Sequence, residues 1–160
     1  MSPAGRRSAG ILLFRRRDAG LEVLIAHMGG PFWARKQAAA WSIPKGLLDG
    51  DEQPLAAARR EFMEEIGTAA PDVPYADLGV FRYASGKLVH VFAGDGTGFE
   101  IDELRSNTFE IEWPPRSGRR VAFPEVDEAR WVPLDEAREL LVAGQRPVLA
   151  ALEKLVGRPQ

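Results

Sequence analysis

Residues Gly46 to Thr68 read GLLDGDEQPLAAARREFMEEIGT. Three glutamates, Glu61, Glu64 and Glu65, recur there at helical spacing behind Arg60, and Glu52 stands further upstream. A helix advances about 100° per residue, so with Glu61 at zero Glu65 lies near 40° and Glu64 near 300°, one arc of about 100°. Leu55, Phe62 and Ile66 gather at about 100–140° on the same wheel, a separate apolar stripe for a core. Pro54 suits a first helical turn and Gly67 a C-terminal cap, so the helix ends are written into the stretch. Ala57 falls inside the acidic arc and carries no side chain to obstruct an approaching ion or phosphate.

Three carboxylates this close repel one another unless a positive charge sits among them. Hard divalent cations such as Mg²⁺ or Mn²⁺ prefer carboxylate oxygens and commonly bridge them to phosphates. Arg60 can pair with Glu64 one turn on or reach back to Glu52. The residues themselves thus point to metal-assisted chemistry on a phosphorylated substrate, against the plainer alternative of a solvated acidic helix face.

The stretch resembles a Nudix box, G-x₅-E-x₇-R-E-U-x-E-E-x-G-U with U a bulky aliphatic residue. Gly46, Glu52, Arg60, Glu61, Glu64, Glu65 and Gly67 occupy its fixed glycine and polar positions. Phe62 and Thr68 stand where an aliphatic residue is usual, a departure that touches packing more than chemistry. The resemblance implies an α/β fold, a Nudix-type α/β/α sandwich with a mixed β-sheet. It also implies hydrolysis of a diphosphate linkage in a nucleoside triphosphate or related nucleoside diphosphate derivative, with Mg²⁺ or Mn²⁺ as cofactor. By position, Glu61, Glu64, Glu65 and the Gly46 carbonyl resemble the family's metal ligands, Arg60 the residue that orients a catalytic glutamate, and Glu52 a supporting carboxylate. Glu125 resembles the additional carboxylate that many Nudix enzymes bring from a late loop. The catalytic base stays open among Glu52, Glu61 and Glu125.

Two further segments bear on the substrate. Trp41-Ser42-Ile43-Pro44-Lys45-Gly46 resembles the W-x-[IL]-P-K-G lead-in of Nudix proteins that hydrolyse dinucleoside polyphosphates and inositol pyrophosphates, and sets Lys45 beside the glutamates. Tyr83 stands at about the distance beyond the box where dinucleoside polyphosphate hydrolases carry a tyrosine. The segments SNTFE (106–110) and WPPRSG (113–118) are similar to those of a bacterial Nudix subgroup of predicted nucleoside triphosphate pyrophosphohydrolases, in which Arg116, with Arg119 and Arg120, would meet phosphate. Lys45 and Tyr83 favour a dinucleoside polyphosphate, the late loop a nucleoside triphosphate.

With 160 residues the chain is long enough for one domain with a sizeable core, read here as 8–160 behind a flexible tail of 1–7. It has no cysteine, which excludes disulfides, thiolate metal sites and cysteine nucleophiles. Its 21 basic and 23 acidic residues leave a net charge of −2, with no bulk attraction to nucleic acid polymers or anionic membranes. No apolar run is long enough for a membrane span or a signal-peptide core. The expected partner is a small-molecule nucleotide, the expected location cytoplasmic, and the expected state a monomer or homodimer.

Along the chain, Ser8–Phe14 and Leu21–His27 read as strands of a hairpin joined through Arg15 to Gly20. Residues 28–40 read as a loop whose Phe32 and Trp33 could stack on a base. Strands follow at 78–83 and 87–92, where His90 faces away from the core or toward the cleft, then an acidic loop at 93–103. A strand at 106–113, a basic loop at 114–120, a strand at 129–133 with Trp131 in the core, and helices at 135–142 and 146–156 complete the reading.

Overall fold

In the computed structural model, which describes residues 7–18 and 20–157, two apolar strands open the sheet and then part. Strand β1 (Arg7–Arg17) and strand β2 (Gly20–Met28) pair antiparallel from Phe14↔Val23 to Arg17↔Gly20. The gap between their splayed ends is filled by β3 (Trp41–Ser42) on β2 and β4 (Lys45–Leu47) on β1. Gly10 makes this wedge possible, because a Cβ there would stand 2.7 Å from both the Pro44 carbonyl oxygen and the Lys45 Cβ. The lead-in to the glutamate stretch is therefore held from both sides at the middle of the sheet.

Strand β5 (Tyr75–Arg82) and strand β6 (Leu88–Asp95) extend the sheet, β6 running parallel to β1 from Arg7↔Leu88 to Phe14↔Asp95. Strand β7 (Thr108–Glu112) and strand β8 (Arg120–Pro124) form a separate two-stranded sheet. Strand β9 (Val126–Pro133) closes the other edge against β2, giving a mixed sheet of seven strands. The central strands read as unbroken apolar runs because both faces are covered. Ala9, Ile11 and Leu13 face helix α1 (Pro54–Ile66), while Leu12, Val23, Ile25, Val89 and Val91 face helix α2 (Leu134–Leu140) and helix α3 (Arg146–Val156). The result is the expected α/β/α sandwich. Among the described residues no helix is long and apolar enough to cross a membrane.

Several local expectations need correction. Arg15, Arg16 and Arg17 lie in β1 rather than in the hairpin connection, because they pair with Glu22, Leu21 and Gly20 of β2. The expected tail, 1–7, falls outside the described residues except for Arg7, which opens β1. Residues 120–124 are a strand, and their partner is β7. Trp131 is half-buried at the rim of the α1-side core, with the Arg15 guanidinium carbon 4.3 Å from its ring centroid. His90 lies outside the cleft described below; its Nε2 is 2.8 Å from Asp77 Oδ1 and its ring stacks on Phe92 at 4.5 Å.

Candidate active site

Helix α1 begins at Pro54 and ends on Gly67, whose φ of 87° is left-handed and whose N–H donates to the Met63 carbonyl at 2.8 Å. Its apolar stripe is buried through Ala58, Phe62 and Ile66. Ala57 is fully buried with them, so the expectation that an ion approaches over Ala57 is wrong: the small side chain lets the helix press onto the sheet.

Arg60 organises the carboxylates. Its Nε and Nη2 grip both oxygens of Glu52 at 3.0 and 2.9 Å, and Nη1 donates to Glu61 Oε2 at 2.6 Å and Glu64 Oε2 at 3.0 Å. Nη2 also donates to the Leu47 carbonyl at 3.0 Å, tying the helix to β4. The fork holds the Glu52 carboxyl well below its ordinary range, at about 2. Glu61 is pushed up, first by burial and then by Glu64, against the pull of Arg60.

Glu65 is the most perturbed carboxyl. Burial raises it to about 8, with repulsion from Glu125 and Glu61 adding to the effect and Lys45 opposing it. The Lys45 backbone N–H donates to Glu65 Oε1 at 3.3 Å. Glu125 is raised by burial and by Glu64, and has no side-chain hydrogen-bond partner among the described residues.

These shifts set a pH dependence. A carboxyl with an ordinary value of 4.5 that sits at about 8 when folded binds an extra proton in the native state. Its stabilisation is present in full below about 4.5 and is lost as pH rises toward 8, an effect of at most about 5 kcal/mol. Thermal unfolding in EDTA should therefore give a Tm that falls between pH 5 and pH 8.5. Added Mg²⁺ should flatten or reverse that slope, since a cation among the carboxylates favours their charged forms.

A cleft of about 480 Å³ gathers Lys45, Gly46, Glu61, Glu65, Glu125 and Trp33, with Ser42, Phe109 and Met28 completing its walls. Glu64 sits beside it, reached through Arg60. Phe32 is not part of it: the ring is 60% exposed and meets Trp113 edge-on at 5.6 Å. Arg116 is exposed on the β7–β8 connection. Tyr83 lines a different recess, of about 420 Å³, on the far side of β4 with Lys45, Gly46, Ser85 and Lys87.

Whether these residues suit a divalent cation is answered by their charge. Glu52, Glu61 and Glu64 crowd around a single guanidinium, and Glu65, raised to about 8 by burial and by its acidic neighbours, has only Lys45 to oppose that shift. All the donors are hard oxygens. Among the described residues no three acidic or histidine side chains converge as a ligand set, because Arg60 draws Glu61 and Glu64 toward itself. In donor chemistry and in charge the cluster fits the ion.

Three residues that the sequence reading passed over shape the site. Asn107 donates its N–H to the Glu64 carbonyl at 2.8 Å and accepts from the Glu125 N–H at 2.9 Å, so the SNTFE segment joins α1 to the Glu125 loop. Gly29 donates to the Glu125 carbonyl at 2.9 Å, and a Cβ there would run into the Pro124 carbonyl. Gln145 is fully buried. It accepts from the Ile43 N–H at 2.8 Å and donates to Ser42 Oγ at 2.9 Å and Tyr83 Oη at 2.8 Å. Nothing in AGQRP flags such a residue, since its partners lie up to 103 positions away. Gln145→Leu strands the Ile43 amide in the core and should cost about 3 kcal/mol, read as a lower urea midpoint at unchanged m-value.

The NUDIX domain profile matches residues 4–152 of the chain. An RNA pyrophosphohydrolase of Rhodospirillum rubrum is 32% identical over 153 residues, covering 92% of this chain and 90% of that protein. An RNA pyrophosphohydrolase of Bartonella henselae is 27% identical, covering 89% and 84%. The crystal structure of a C. elegans Ap4A hydrolase binary complex superposes with a TM-score of 0.62 at 19% identity, covering 94% and 96%, a likeness of fold.

Proposed function

The chain belongs to the NUDIX domain family and is a pyrophosphohydrolase, and we propose that its substrate is a nucleoside 5′-triphosphate or a close derivative, cut with the help of Mg²⁺ or Mn²⁺. The observation that carries this reading is the cleft itself. Lys45 and the carboxylates Glu61, Glu65 and Glu125 line one wall system with Trp33 and Phe109, so a phosphate chain and an aromatic base find their complements in one place.

In this proposal Glu61, Glu64, Glu65 and the Gly46 carbonyl hold the metal. An ion held there would supply a more acidic water and offset charge developing on the phosphate oxygens. Arg60 keeps Glu61 and Glu64 in one orientation and locks Glu52 behind them. Lys45 neutralises a phosphate oxygen of the substrate. Glu52 is a poor proton acceptor because Arg60 holds its carboxyl at about 2. Glu125, raised and without a side-chain partner among the described residues, is well suited to take the proton of the attacking water.

A dinucleoside polyphosphate is the second reading, and one observation favours it. The recess across β4 shares Lys45, Gly46 and Leu47 with the cleft and adds Lys87, Tyr83 and Ser85, which is room for a second end of a substrate. The test is release of phosphate and pyrophosphate from nucleoside triphosphates, dinucleoside polyphosphates, nucleotide sugars, ADP-ribose and 5′-triphosphorylated oligoribonucleotides, with Mg²⁺ or Mn²⁺. Metal-dependent pyrophosphate release, fastest from a nucleoside triphosphate group, supports the first reading. Preference for a dinucleoside polyphosphate moves the assignment to the second, and turnover indifferent to EDTA contradicts both.

A further inference from the structure

His27 is the penultimate residue of β2 and has 4% of its surface exposed. Its Nδ1 lies 2.7 Å from Asp127 Oδ1 and its Nε2 lies 2.7 Å from the Lys36 carbonyl oxygen. Each ring nitrogen thus meets an oxygen of a different segment, and the ring bridges Asp127 to the Lys36 carbonyl. The ring also meets Trp41 edge-on at 5.2 Å.

What this ring holds is the aromatic wall of the cleft. Trp33 accepts through its carbonyl from the Lys36 N–H at 3.0 Å, and its own N–H donates to the Gly30 carbonyl at 3.3 Å. Among the described residues, the Lys36 carbonyl is the one backbone group of residues 31–37 bonded beyond the 30–40 loop. Glu125 is secured separately, by its backbone bonds to Asn107 and Gly29. The glutamates of α1 touch neither His27 nor Asp127. Release of His27 would thus loosen the loop that carries Trp33, whose ring also packs on the core beneath it, and leave the acidic wall in place.

We propose that His27 is a positioning residue for substrate binding: paired with Asp127, it latches the Trp33 loop onto β9 and so fixes the aromatic wall of the cleft. The proposal rests on the reading of this cleft as the nucleotide site. A buried ring nitrogen left without its partner costs enough to change an affinity roughly tenfold.

The experiment compares His27→Phe, Asp127→Leu and Asp127→Asn with GTP as the probe, measuring KM and kcat, or the GTP dissociation constant for a protein that binds without turnover. His27→Phe and Asp127→Leu should raise KM roughly tenfold with kcat within about threefold, because the loss falls on binding and spares the acidic cluster. Asp127→Asn keeps a hydrogen-bonding partner for Nδ1 and should restore KM to within about threefold of the wild-type value. The Asp127 side chain is 39% exposed, so its variants carry the test even if His27→Phe does not fold. In parallel, the ¹⁵N shifts of the wild-type ring should show both nitrogens of His27 engaged in hydrogen bonds. An unmoved KM in Asp127→Leu, a kcat that falls as far as KM rises, or a ring nitrogen without a hydrogen bond overturns the latch. A wild-type protein that neither binds nor cleaves GTP contradicts the substrate reading instead, and the ring nitrogens still decide the latch.

Discussion

Glu64→Gln should lower kcat about a thousandfold while the protein folds as before. The side chain is 37% exposed and its one hydrogen bond within the cluster, to Arg60 Nη1 at 3.0 Å, survives in the amide, whose carbonyl oxygen still accepts. Volume is unchanged and a like charge is removed from beside Glu61, so the unfolding free energy should move by less than about 1 kcal/mol. What disappears is one negative charge of the set proposed to hold the metal. The loss should appear in kcat, and the metal concentration needed for half-activation should rise with it. Steady-state kinetics over a Mg²⁺ series, with circular dichroism as the fold control, reads both. Full activity in Glu64→Gln would remove it from the metal set and leave Glu61, Glu65 and Glu125, which line the cleft directly, to account for the chemistry.

The contrast between Glu64 and its neighbours also marks what a helical wheel can reveal. Periodicity places Glu61, Glu64 and Glu65 on one face and Phe62 and Ile66 on another, because both facts belong to one helix and its 3.6-residue repeat. The ends of α1 were equally plain, since proline at the start and glycine at the end act through their own backbone. What the wheel omits is the element across from it. Ala57 read as an open approach and proved to be a contact with the sheet, because β4 and β1 lie there. Phe32 and Trp33 are adjacent and chemically alike, yet one lines the cleft and the other reaches Trp113. Tyr83 stands at about the distance beyond the box where dinucleoside polyphosphate hydrolases carry a tyrosine, but its hydroxyl is engaged by Gln145, 62 residues away. Asn107, Gln145 and His27 share that character. Each acts through side-chain or main-chain bonds to other segments of the chain, and no local pattern encodes such partners. The chemistry of the site was legible because it is concentrated in one helix; the support was not, because it is spread over distant segments of chain.

Gly46→Ala should separate that support from the chemistry most sharply. Gly46 lies in β4 opposite Ala9 of β1, with a backbone any residue can adopt, so left-handed strain does not explain the glycine. Its requirement comes from α1. A Cβ built at Gly46 would overlap the carboxylate of Glu61 and stand 2.6 Å from its Cγ. The obstacle is the end of a flexible side chain, which can rotate away, so the strand need not move. Less chain entropy is lost on folding than with glycine, and stability should change by no more than about 1 kcal/mol in either direction. Glu61, however, can no longer occupy its place between Gly46 and Arg60 Nη1, and a displacement of about 1 Å at a reacting centre can cost a hundredfold. The expected variant is one with native Tm and a kcat reduced a hundredfold or more. It should also show a shifted pH dependence of stability, because the raised Glu61 and Glu65 carboxyls lose their shared enclosure. A fall in Tm with activity intact would mean that glycine serves the packing of β4 and that the carboxylate works from more than one position.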